Sequence, residues 1–306
     1  MKLNKLKPFL YCAITAVLFS VLRIYDPYPV EILRLKGLDY YQKTQEVKQS
    51  ELFTIIELDE SSLEQNGQWP WKRDVISKYI EKAYMNGAAL VVVPILFAEE
   101  DRLGGDEIFA QYLQALPVVT AQSASIQGKG KLVEQRVMAI GSVEVTDWLY
   151  DYPNGIGPID IVANNAAGVG MTVTAPELDG VVRRMPLMIQ VKGEVYPTLP
   201  LEVLRVAGGD KGYQIKTDYA GVNAIRLRNV GTFKTDENAR VWINFDTQFD
   251  KFSVTDSDWS KVNSRIAVIA LTAEGLSNTV ATPIKISNGH ELNMQVIETL
   301  YNENTL

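Results

Sequence analysis

The sequence has almost none of the side chains that build metal centres and nucleophilic relays. Among its 306 residues, Cys12 is the only cysteine and His290 the only histidine. A structural zinc site needs several Cys or His ligands, and a catalytic relay pairs a nucleophile with a base, most often histidine. These counts exclude a Cys/His zinc site and argue against a Cys–His or Ser–His relay. We expect no metal and no cofactor, and we interpret His290 as a structural or surface residue.

Positive charge is also in short supply. The chain has 30 Lys and Arg against 37 Asp and Glu, which gives a formal net charge of −7. Proteins that bind nucleic acid neutralise phosphates with basic patches, so this composition argues against such a partner. The motifs of serine hydrolases, phosphate-binding loops and zinc peptidases are absent from the sequence. We therefore predict that the protein is not an enzyme and binds no nucleic acid.

One long apolar run lies near the amino terminus. Lysines at 2, 5 and 7 precede an uncharged run over residues 8–22, which extends to Tyr25 if Arg23 reaches the lipid interface. Because no small-residue cleavage pattern follows, we interpret the run as an uncleaved transmembrane helix rather than a signal peptide. The lysines favour a cytoplasmic amino terminus. We predict a single-pass inner-membrane protein, with residues 1–25 as cytoplasmic tip and anchor and the main domain outside the cytoplasm, in the periplasm.

Residues 26–50 are predicted to form a helix and a linker. Asp26-Pro27-Tyr28-Pro29 makes a stiff turn, because proline fixes φ and restricts the residue before it. Apolar residues at 30, 33, 38 and 41 predict a short helix beside the membrane. The polar stretch from Thr44 to Glu51 is typical of a link, which leaves residues 51–306 as one extracytoplasmic domain.

The main domain opens with strands and helices in alternation. The pattern predicts a strand over 52–59, a helix from Asp74 to Tyr84, a strand over 89–97, a helix from Asp106 and a strand at Val118. Apolar strands separated by amphipathic helices are typical of parallel sheets. The predicted fold class is α/β, with a mostly parallel central sheet, flanking helices and one preceding transmembrane helix.

The elements in the second half of the chain are shorter. Residues 170–174 and 181–190 have strand composition, and the turn-forming residues 175–180 between them predict a β-hairpin. Thr198 is the predicted cap of a helix over Leu199–Ala207. An amphipathic helix is predicted over Ser287–Tyr301.

Several short motifs together resemble the type-two CHASE domain, and they cover roughly residues 52–301. They are Gly67-Gln68-Trp69-Pro70-Trp71-Lys72-Arg73, Asn86-Gly87-Ala88, Ile95-Leu96-Phe97, the stretch Leu178–Leu187 with its Asp-Gly-x-x-Arg-Arg element, Tyr196-Pro197-Thr198-Leu199, and Thr272–Leu276 with Thr282-Pro283. This family is the extracytoplasmic sensor module of bacterial receptors. Further membrane helices and a cytoplasmic cyclase, histidine kinase or protein kinase usually follow the module.

The sequence departs from the family at two acidic positions. Pro94 stands where the family often has an acidic residue, and Asn278 stands where it has aspartate. If both positions share one crevice, the ligand of a relative does not transfer to this chain. The sequence also reaches Leu306 without a second apolar span or an effector, so we expect either part of a receptor or a standalone sensor.

The turn that contains Trp69 and Trp71 admits two interpretations. Ligands of open α/β sheets bind beyond the carboxyl ends of strands, where this turn, Arg73 and Asp59 are expected. Rings and carboxylates there would hold a small cation or amine. In the alternative, Pro70 directs both rings onto the following helix, and they contribute only packing.

Arg183 and Arg184 complete the candidate ligand residues. A guanidinium group pairs bidentately with phosphate or carboxylate, which is why these residues are candidates. Adjacent residues of a strand face opposite sides, so at most one would face a given pocket. The other would be solvated or paired structurally with a local acid such as Glu177 or Asp179.

Three classes of function stay open. A membrane-anchored sensor, which the resemblance implies, predicts a pocket at strand ends and an unknown small ligand. A non-enzymatic structural subunit of a cell-envelope complex predicts large protein contacts, and an enzyme predicts convergent carboxylates with shifted pKa values. A single anchor needs another chain to pass on a state, so we expect a homo-oligomer or contact with other membrane proteins. The candidate interface residues are Leu33 and Leu38 in the helix after the anchor, and Leu292 and Val296 in the last helix.

Overall fold

The computed structural model describes residues 3–128 and 130–305. The chain divides into two compact units, residues 1–45 and residues 46–306. Lys2, which belongs to the predicted cytoplasmic tip, lies outside the described residues.

The amino-terminal unit consists of two helices, α1 (Leu3–Tyr25) and α2 (Tyr28–Lys43). By length and composition, α1 can cross a membrane from Lys7 to Tyr25, as the apolar run predicts. Pro27 has extended geometry and stands directly before α2. The Asp26 carboxylate accepts a hydrogen bond from the Arg34 guanidinium at 2.6 Å. The helix predicted after the apolar run is therefore present, and it is separated from α1 by a two-residue turn.

The second unit is a mixed α/β domain. Its strands in chain order are β1 (Lys48–Leu58), β2 (Leu90–Leu96), β3 (Val118–Ser125), β4 (Val137–Ile140), β5 (Asp151–Tyr152), β6 (Asn154–Ile156), β7 (Gly168–Thr172), β8 (Arg184–Pro186), β9 (Met188–Val191), β10 (Glu194–Pro197), β11 (Tyr213–Asp218), β12 (Gly221–Leu227), β13 (Gly231–Lys234), β14 (Arg240–Trp242), β15 (Thr247–Ser253), β16 (Ile266–Leu271), β17 (Thr279–Ala281) and β18 (Ile286–Asn288). Its helices are α3 (Glu60–Asn66), α4 (Arg73–Met85), α5 (Asp106–Ala115), α6 (Asp160–Ala163), α7 (Leu199–Ala207) and α8 (Gly289–Thr305).

A seven-stranded sheet forms the centre of this domain. Its strand order is β15-β1-β16-β2-β3, and both β6 and β7 pair with β3. Every pair is parallel except β3 with β6, which confirms the predicted mostly parallel sheet. Strand β16, from late in the chain, lies between β1 and β2, with Ile269 opposite Ile56. A four-stranded sheet of β13-β12-β11-β4 lies outside this central sheet.

Both faces of the central sheet are covered. Ile55 and Val92 belong to a core cluster that contains residues of α7 and α8, whereas Ile56 and Val91 belong to a second cluster that contains residues of α4 and α5. Successive residues of a strand face opposite sides, so each strand supplies both clusters. This double burial is why β1 and β2 have nearly continuous apolar sequences.

The prediction of a β-hairpin over residues 170–190 is wrong. Strand β7 instead pairs with β3 in the central sheet, and β8 pairs with β14. The hairpin is β9 with β10, joined by Lys192 and Gly193, whose φ angles are 54° and 84°. Two successive positive φ values fit a two-residue hairpin turn, which the longer turn-forming stretch 175–180 does not provide. Strand β7 is buried from Gly168 to Met171, as suits a strand within a parallel sheet.

Three predicted boundaries also shift. Strand β1 begins at Lys48, so the link before it is shorter than predicted. Helix α4 begins at Arg73, because the Asp101 carboxylate accepts the Arg73 backbone N–H at 2.8 Å; Asp74 lies in the first turn and is not the cap. Helix α8 begins at Gly289, because the residues before it pair as β18 with β17.

Candidate functional site

The tryptophan turn is packed as a clamp. The Trp71 side chain is only 5% exposed, and its indole N–H donates a hydrogen bond to the Gly67 carbonyl oxygen at 2.7 Å. The rings of Trp69 and Trp71 meet edge to face, with centroids 5.5 Å apart, across a cis Trp69–Pro70 peptide bond. The Tyr79 ring of α4 lies 6.2 Å from the Trp71 ring. This arrangement agrees with the packing interpretation of the turn.

Arg73 is engaged inside the protein. The side chain is buried, and its guanidinium group contacts the Asp106 carboxylate and the Glu99 carbonyl oxygen. The same group lies over the Phe97 ring, 5.2 Å from the centroid. These contacts connect the start of α4 to the loop between β2 and α5, so the charge of Arg73 is neutralised within the domain.

Asp59 caps the short helix α3. Its carboxylate accepts hydrogen bonds from the Ser62 backbone N–H at 3.0 Å and from the hydroxyls of Ser61 and Ser253, each at 2.9 Å. Partial burial raises the pKa of this carboxyl, but the hydrogen bonds outweigh burial and hold the pKa below its ordinary value. Asp59 therefore stays ionised in a local network at the carboxyl end of β1.

Both arginines of the Asp-Gly-x-x-Arg-Arg element form ion pairs. Arg183 is 1% exposed and makes two hydrogen bonds to the Asp179 carboxylate, each 2.8 Å long. Arg184 pairs with Glu177 at 2.7 and 2.8 Å. The predicted alternative of structural pairing is thus confirmed for both arginines, and each charge is compensated by a nearby acid.

The candidate interface residues differ in exposure. Leu33 is 74% exposed and Leu38 is partly buried. Leu292 and Val296, in contrast, are fully buried in the core of the second unit. The amphipathic pattern of α8 thus reflects packing within this chain, which corrects the prediction that these two residues contact another chain.

A cleft of about 560 Å³ opens at the carboxyl ends of four parallel strands. The ends of β2, β3, β7 and β16 form one side, and the loop after β16 and the first turn of α8 complete it. Its lining residues are Pro94, Ile95, Leu96, Ser123, Ala124, Tyr152, Thr172, Val173, Thr174, Ala270, Leu271, Leu276, Asn278, Gly289, His290 and Asn293. Ligands of open α/β sheets bind at this position. None of the six predicted ligand residues lines the cleft.

Among the residues that the structure describes, no Asp, Glu, Lys or Arg lines the cleft. Its polar groups are hydroxyls, amides and one imidazole. The Ser123 hydroxyl donates to the Thr172 carbonyl oxygen at 3.2 Å, and the Thr172 hydroxyl donates to the Gln122 carbonyl oxygen at 3.1 Å. Burial raises the pKa of Tyr152, so this phenol is neutral at physiological pH. The cleft is therefore polar and uncharged.

The first turn of α8 carries two buried polar atoms without a partner. The Gly289 N–H donates to the Asn278 carbonyl oxygen at 2.8 Å, and the Asn293 amide N–H donates to the Gly289 carbonyl oxygen at 3.0 Å. Asn293 Oδ1 and His290 Nε2 have no hydrogen-bond partner among the described residues. Burial lowers the pKa of His290 from 6.5 to about 4, so its ring is neutral at neutral pH.

Two other cavities have different linings. One of about 760 Å³ lies beside the acidic loop after β2 and is lined by Glu100, Asp101 and Asp106, of which the last two already accept hydrogen bonds within the domain. One of about 580 Å³ lies along the edge strand β15 and includes Lys251 and Lys285, both paired with Glu291. Within residues 3–128 and 130–305, no group of three or more His, Cys, Asp or Glu is placed to hold a metal ion.

Comparison with known families agrees with the resemblance that the sequence motifs carry. The model of the CHASE2 domain matches residues 13–306, nearly the whole chain. The chain belongs to the CHASE2 domain family. CHASE2 domains are sensory extracytoplasmic domains of signalling proteins and are generally not catalytic. Comparison with curated proteins and with solved structures gives no match.

The two departures from the CHASE2 pattern lie in the same cleft. Pro94 and Asn278 both line it, so the two positions do share one crevice. Both residues are uncharged here, which accounts for part of the neutral lining. The sequence pointed to the cleft through these two substitutions and through the general expectation of a pocket at strand ends. His290, by contrast, was interpreted as a structural or surface residue, and Asn293 has no motif around it.

Proposed function

We propose that this CHASE2 domain is the extracytoplasmic sensor of a bacterial signalling protein that α1 anchors in the inner membrane. The apolar span Lys7–Tyr25 and the lysines before it support a cytoplasmic amino terminus and a periplasmic domain. The observation that carries the sensory proposal is the cleft at the strand ends. It combines the usual ligand position of an open α/β sheet with two buried polar atoms that lack partners.

Helix α8 is the proposed route from the cleft to the rest of the protein. Its first turn lines the cleft, and at about 1.5 Å per residue the helix extends roughly 25 Å from there. Near its other end, the Ser50 hydroxyl donates to Glu298 at 2.5 Å, and the Asn244 N–H donates to the Thr299 hydroxyl at 3.0 Å. Ser50 belongs to β1, the strand that follows the amino-terminal unit in sequence. A ligand that favours one position of α8 would therefore act on the start of β1.

The state of the sensor is proposed to pass to another chain, either a second copy or a different membrane protein. Leu33 of α2 is an exposed apolar residue next to the anchor and is the proposed centre of that contact. We expect the double variant Leu33→Glu with Leu38→Glu to lose the cross-linked species that the wild type forms in membranes. Lys43→Glu changes the charge of the same helix at an exposed position and should keep that species. A wild type that cross-links to nothing in cells would contradict this step.

A reporter fusion tests the orientation. An enzyme that is active only in the cytoplasm, fused after the exposed Gly209, should be inactive in cells, whereas a reporter active only in the periplasm should work there. The reverse result would overturn the orientation and the sensory proposal with it.

A cleft-filling variant tests the sensor against the structural-subunit alternative. Thr174 lines the cleft, so Thr174→Trp should block it, while Thr232→Trp adds the same ring at an exposed position in β13. The test adds a small-molecule extract of bacterial culture to the full chain in detergent. The extract should raise the unfolding temperature of the wild type and of Thr232→Trp, but not that of Thr174→Trp. If Thr174→Trp responds like the wild type, or nothing responds, the structural-subunit alternative is favoured.

A further inference from the structure

Two residues that line the cleft each have a buried polar atom without a partner, and a particular kind of ligand group would complete both atoms. Seven buried side-chain polar atoms lack a hydrogen-bond partner among the described residues, and two of them, Asn293 Oδ1 and His290 Nε2, belong to residues that line the cleft. The two residues are three positions apart, which places them on one face of α8. A buried polar group without a partner destabilises the fold. A bound ligand that pairs both atoms removes that cost.

The chemistry of the two atoms selects the group. Oδ1 of an asparagine only accepts hydrogen bonds, so it needs a donor. Nε2 of a neutral imidazole either donates or accepts, depending on which ring nitrogen carries the proton. A hydroxyl group supplies one donor and also acceptor lone pairs, so a single hydroxyl can satisfy both atoms at once.

The lining argues against a charged ligand. None of the described residues that line the cleft carries a charge, so an ionic ligand would lose its hydration without gaining a counter-charge. The amino-terminal end of α8 carries partial positive charge, which disfavours a cation. Asn293 is only 9% exposed, and its accepting oxygen disfavours an anion at the same place.

The remaining lining fits a compound with several hydroxyls on an apolar frame. Thr174, Tyr152 and Asn278 add further hydrogen-bonding groups, while Leu96, Val173 and Leu276 supply apolar surface. Sugars and polyols have this combination, because their C–H groups present apolar faces between the hydroxyls. A volume of about 560 Å³ lies within the usual size of small-molecule sites, about 300–1,000 Å³.

We propose that the cleft binds an uncharged polyhydroxy compound, a monosaccharide or polyol, through a hydroxyl that donates to Asn293 Oδ1 and accepts from His290 Nε2. This inference rests on the proposed function of the cleft as the ligand site. Asn293 is then the residue that selects neutral ligands over charged ones.

A matched set of sugars tests the ligand class. Glucose, galactose and mannitol are neutral, glucuronate adds a carboxylate to the glucose frame, and glucosamine adds an ammonium group. Binding is measured by saturation-transfer NMR, with the full chain in detergent micelles and each probe at millimolar concentration. We expect a saturation-transfer signal for at least one neutral probe and for neither charged probe. Transfer to no neutral probe, or to glucuronate or glucosamine alone, overturns the proposed class.

Variants of α8 test the role of Asn293. Asn293→Leu should weaken binding of the neutral probe by about tenfold, the effect of one lost hydrogen bond. Asn293→Asp keeps the shape and adds a negative charge, so it should lose the neutral probe and gain glucosamine. Gln295→Leu is the control: its Oε1 also lacks a partner, but Gln295 lines the cavity beside β15 and not this cleft. The control should bind like the wild type.

The outcomes separate this inference from the proposed function. Circular dichroism and thermal unfolding verify that each variant is folded before binding is compared. If Asn293→Leu and Asn293→Asp bind every probe like the wild type, a structural water satisfies the two atoms and the inference is wrong. If charged probes bind and Thr174→Trp abolishes their binding, the ligand class is wrong while the cleft remains the ligand site.

Discussion

The tryptophan turn, which follows α3, and the strand-end cleft differ in how their polar groups are paired. In the turn, the Trp71 indole N–H and the Arg73 guanidinium have partners within the domain. In the cleft, Asn293 Oδ1 and His290 Nε2 have none among the described residues. Hydrogen-bonded polar groups contribute to the stability of the fold, whereas a buried polar group without a partner requires an explanation. The contrast agrees with packing in the turn and supports the proposal that the cleft is the binding site.

The largest expected effect is on the turn. Trp71→Ala should lower the free energy of unfolding by about 3–5 kcal/mol, because it leaves a cavity among Trp69, Tyr79 and the α4 side of the core. Chemical denaturation of the full chain in detergent, followed by far-ultraviolet circular dichroism, measures the loss. Trp69→Ala is the control and should cost less, since Trp69 is only partly buried. A loss below about 1 kcal/mol for Trp71→Ala would show that the turn does not stabilise the fold by packing, and the two regions would then not differ in this respect.

A pH-dependent effect is expected at the cleft. Burial holds the pKa of His290 at about 4, below its ordinary value of 6.5, while Glu291 opposes the shift and Lys251 adds to it. Between these two pH values the unfolded chain binds the proton more readily, so stability falls as the pH falls from 6.5 through 4. From pH 7 to pH 4 the wild type should lose up to about 3 kcal/mol more than His290→Gln. Equal losses in denaturation series at the two pH values would show that His290 is not buried as a neutral ring.

A smaller effect isolates the indole hydrogen bond. Trp71→Phe keeps an aromatic ring but leaves the Gly67 carbonyl oxygen without its donor, so we expect a loss of about 1–2 kcal/mol. The same denaturation measurement applies, with Phe97→Leu as a comparison in which no hydrogen bond changes. A loss as large as that of Trp71→Ala would mean that ring shape, and not the hydrogen bond, determines the fit.

The smallest effect is expected for Asn293, one of the two cleft residues with an unpaired atom. Asn293→Leu removes the unsatisfied Oδ1 and the hydrogen bond to the Gly289 carbonyl oxygen, and these changes oppose each other. The free energy of unfolding should change by less than about 1 kcal/mol in either direction. A loss comparable to that of Trp71→Ala would show that Asn293 is a structural residue like those of the turn.

Several predictions from the sequence agree with the structure because the determining forces are local. The alternation of apolar strands and amphipathic helices predicted the parallel sheet, and α7 covers the predicted range Leu199–Ala207. The pairing of Arg183 with Asp179 and of Arg184 with Glu177 could be predicted because the partners are close in sequence. The prediction of a hairpin over residues 170–190 is wrong because β7 pairs with β3. The local sequence around residue 170 does not indicate this distant pairing.

The short motifs carried the resemblance to the CHASE2 domain family. Composition and local pattern determined the apolar helix α1, the α/β class and the absence of a Cys/His zinc site. These features depend on hydrophobic periodicity, turn-forming residues and residue counts, which can be read directly from the sequence. Only the tertiary structure decided that β16 lies between β1 and β2, that Leu292 and Val296 are core residues, and that Pro94, Asn278 and the first turn of α8 share one cleft. Those features depend on which distant segments pack together, because the burial of a side chain and the pairing of its polar atoms are properties of the assembled domain.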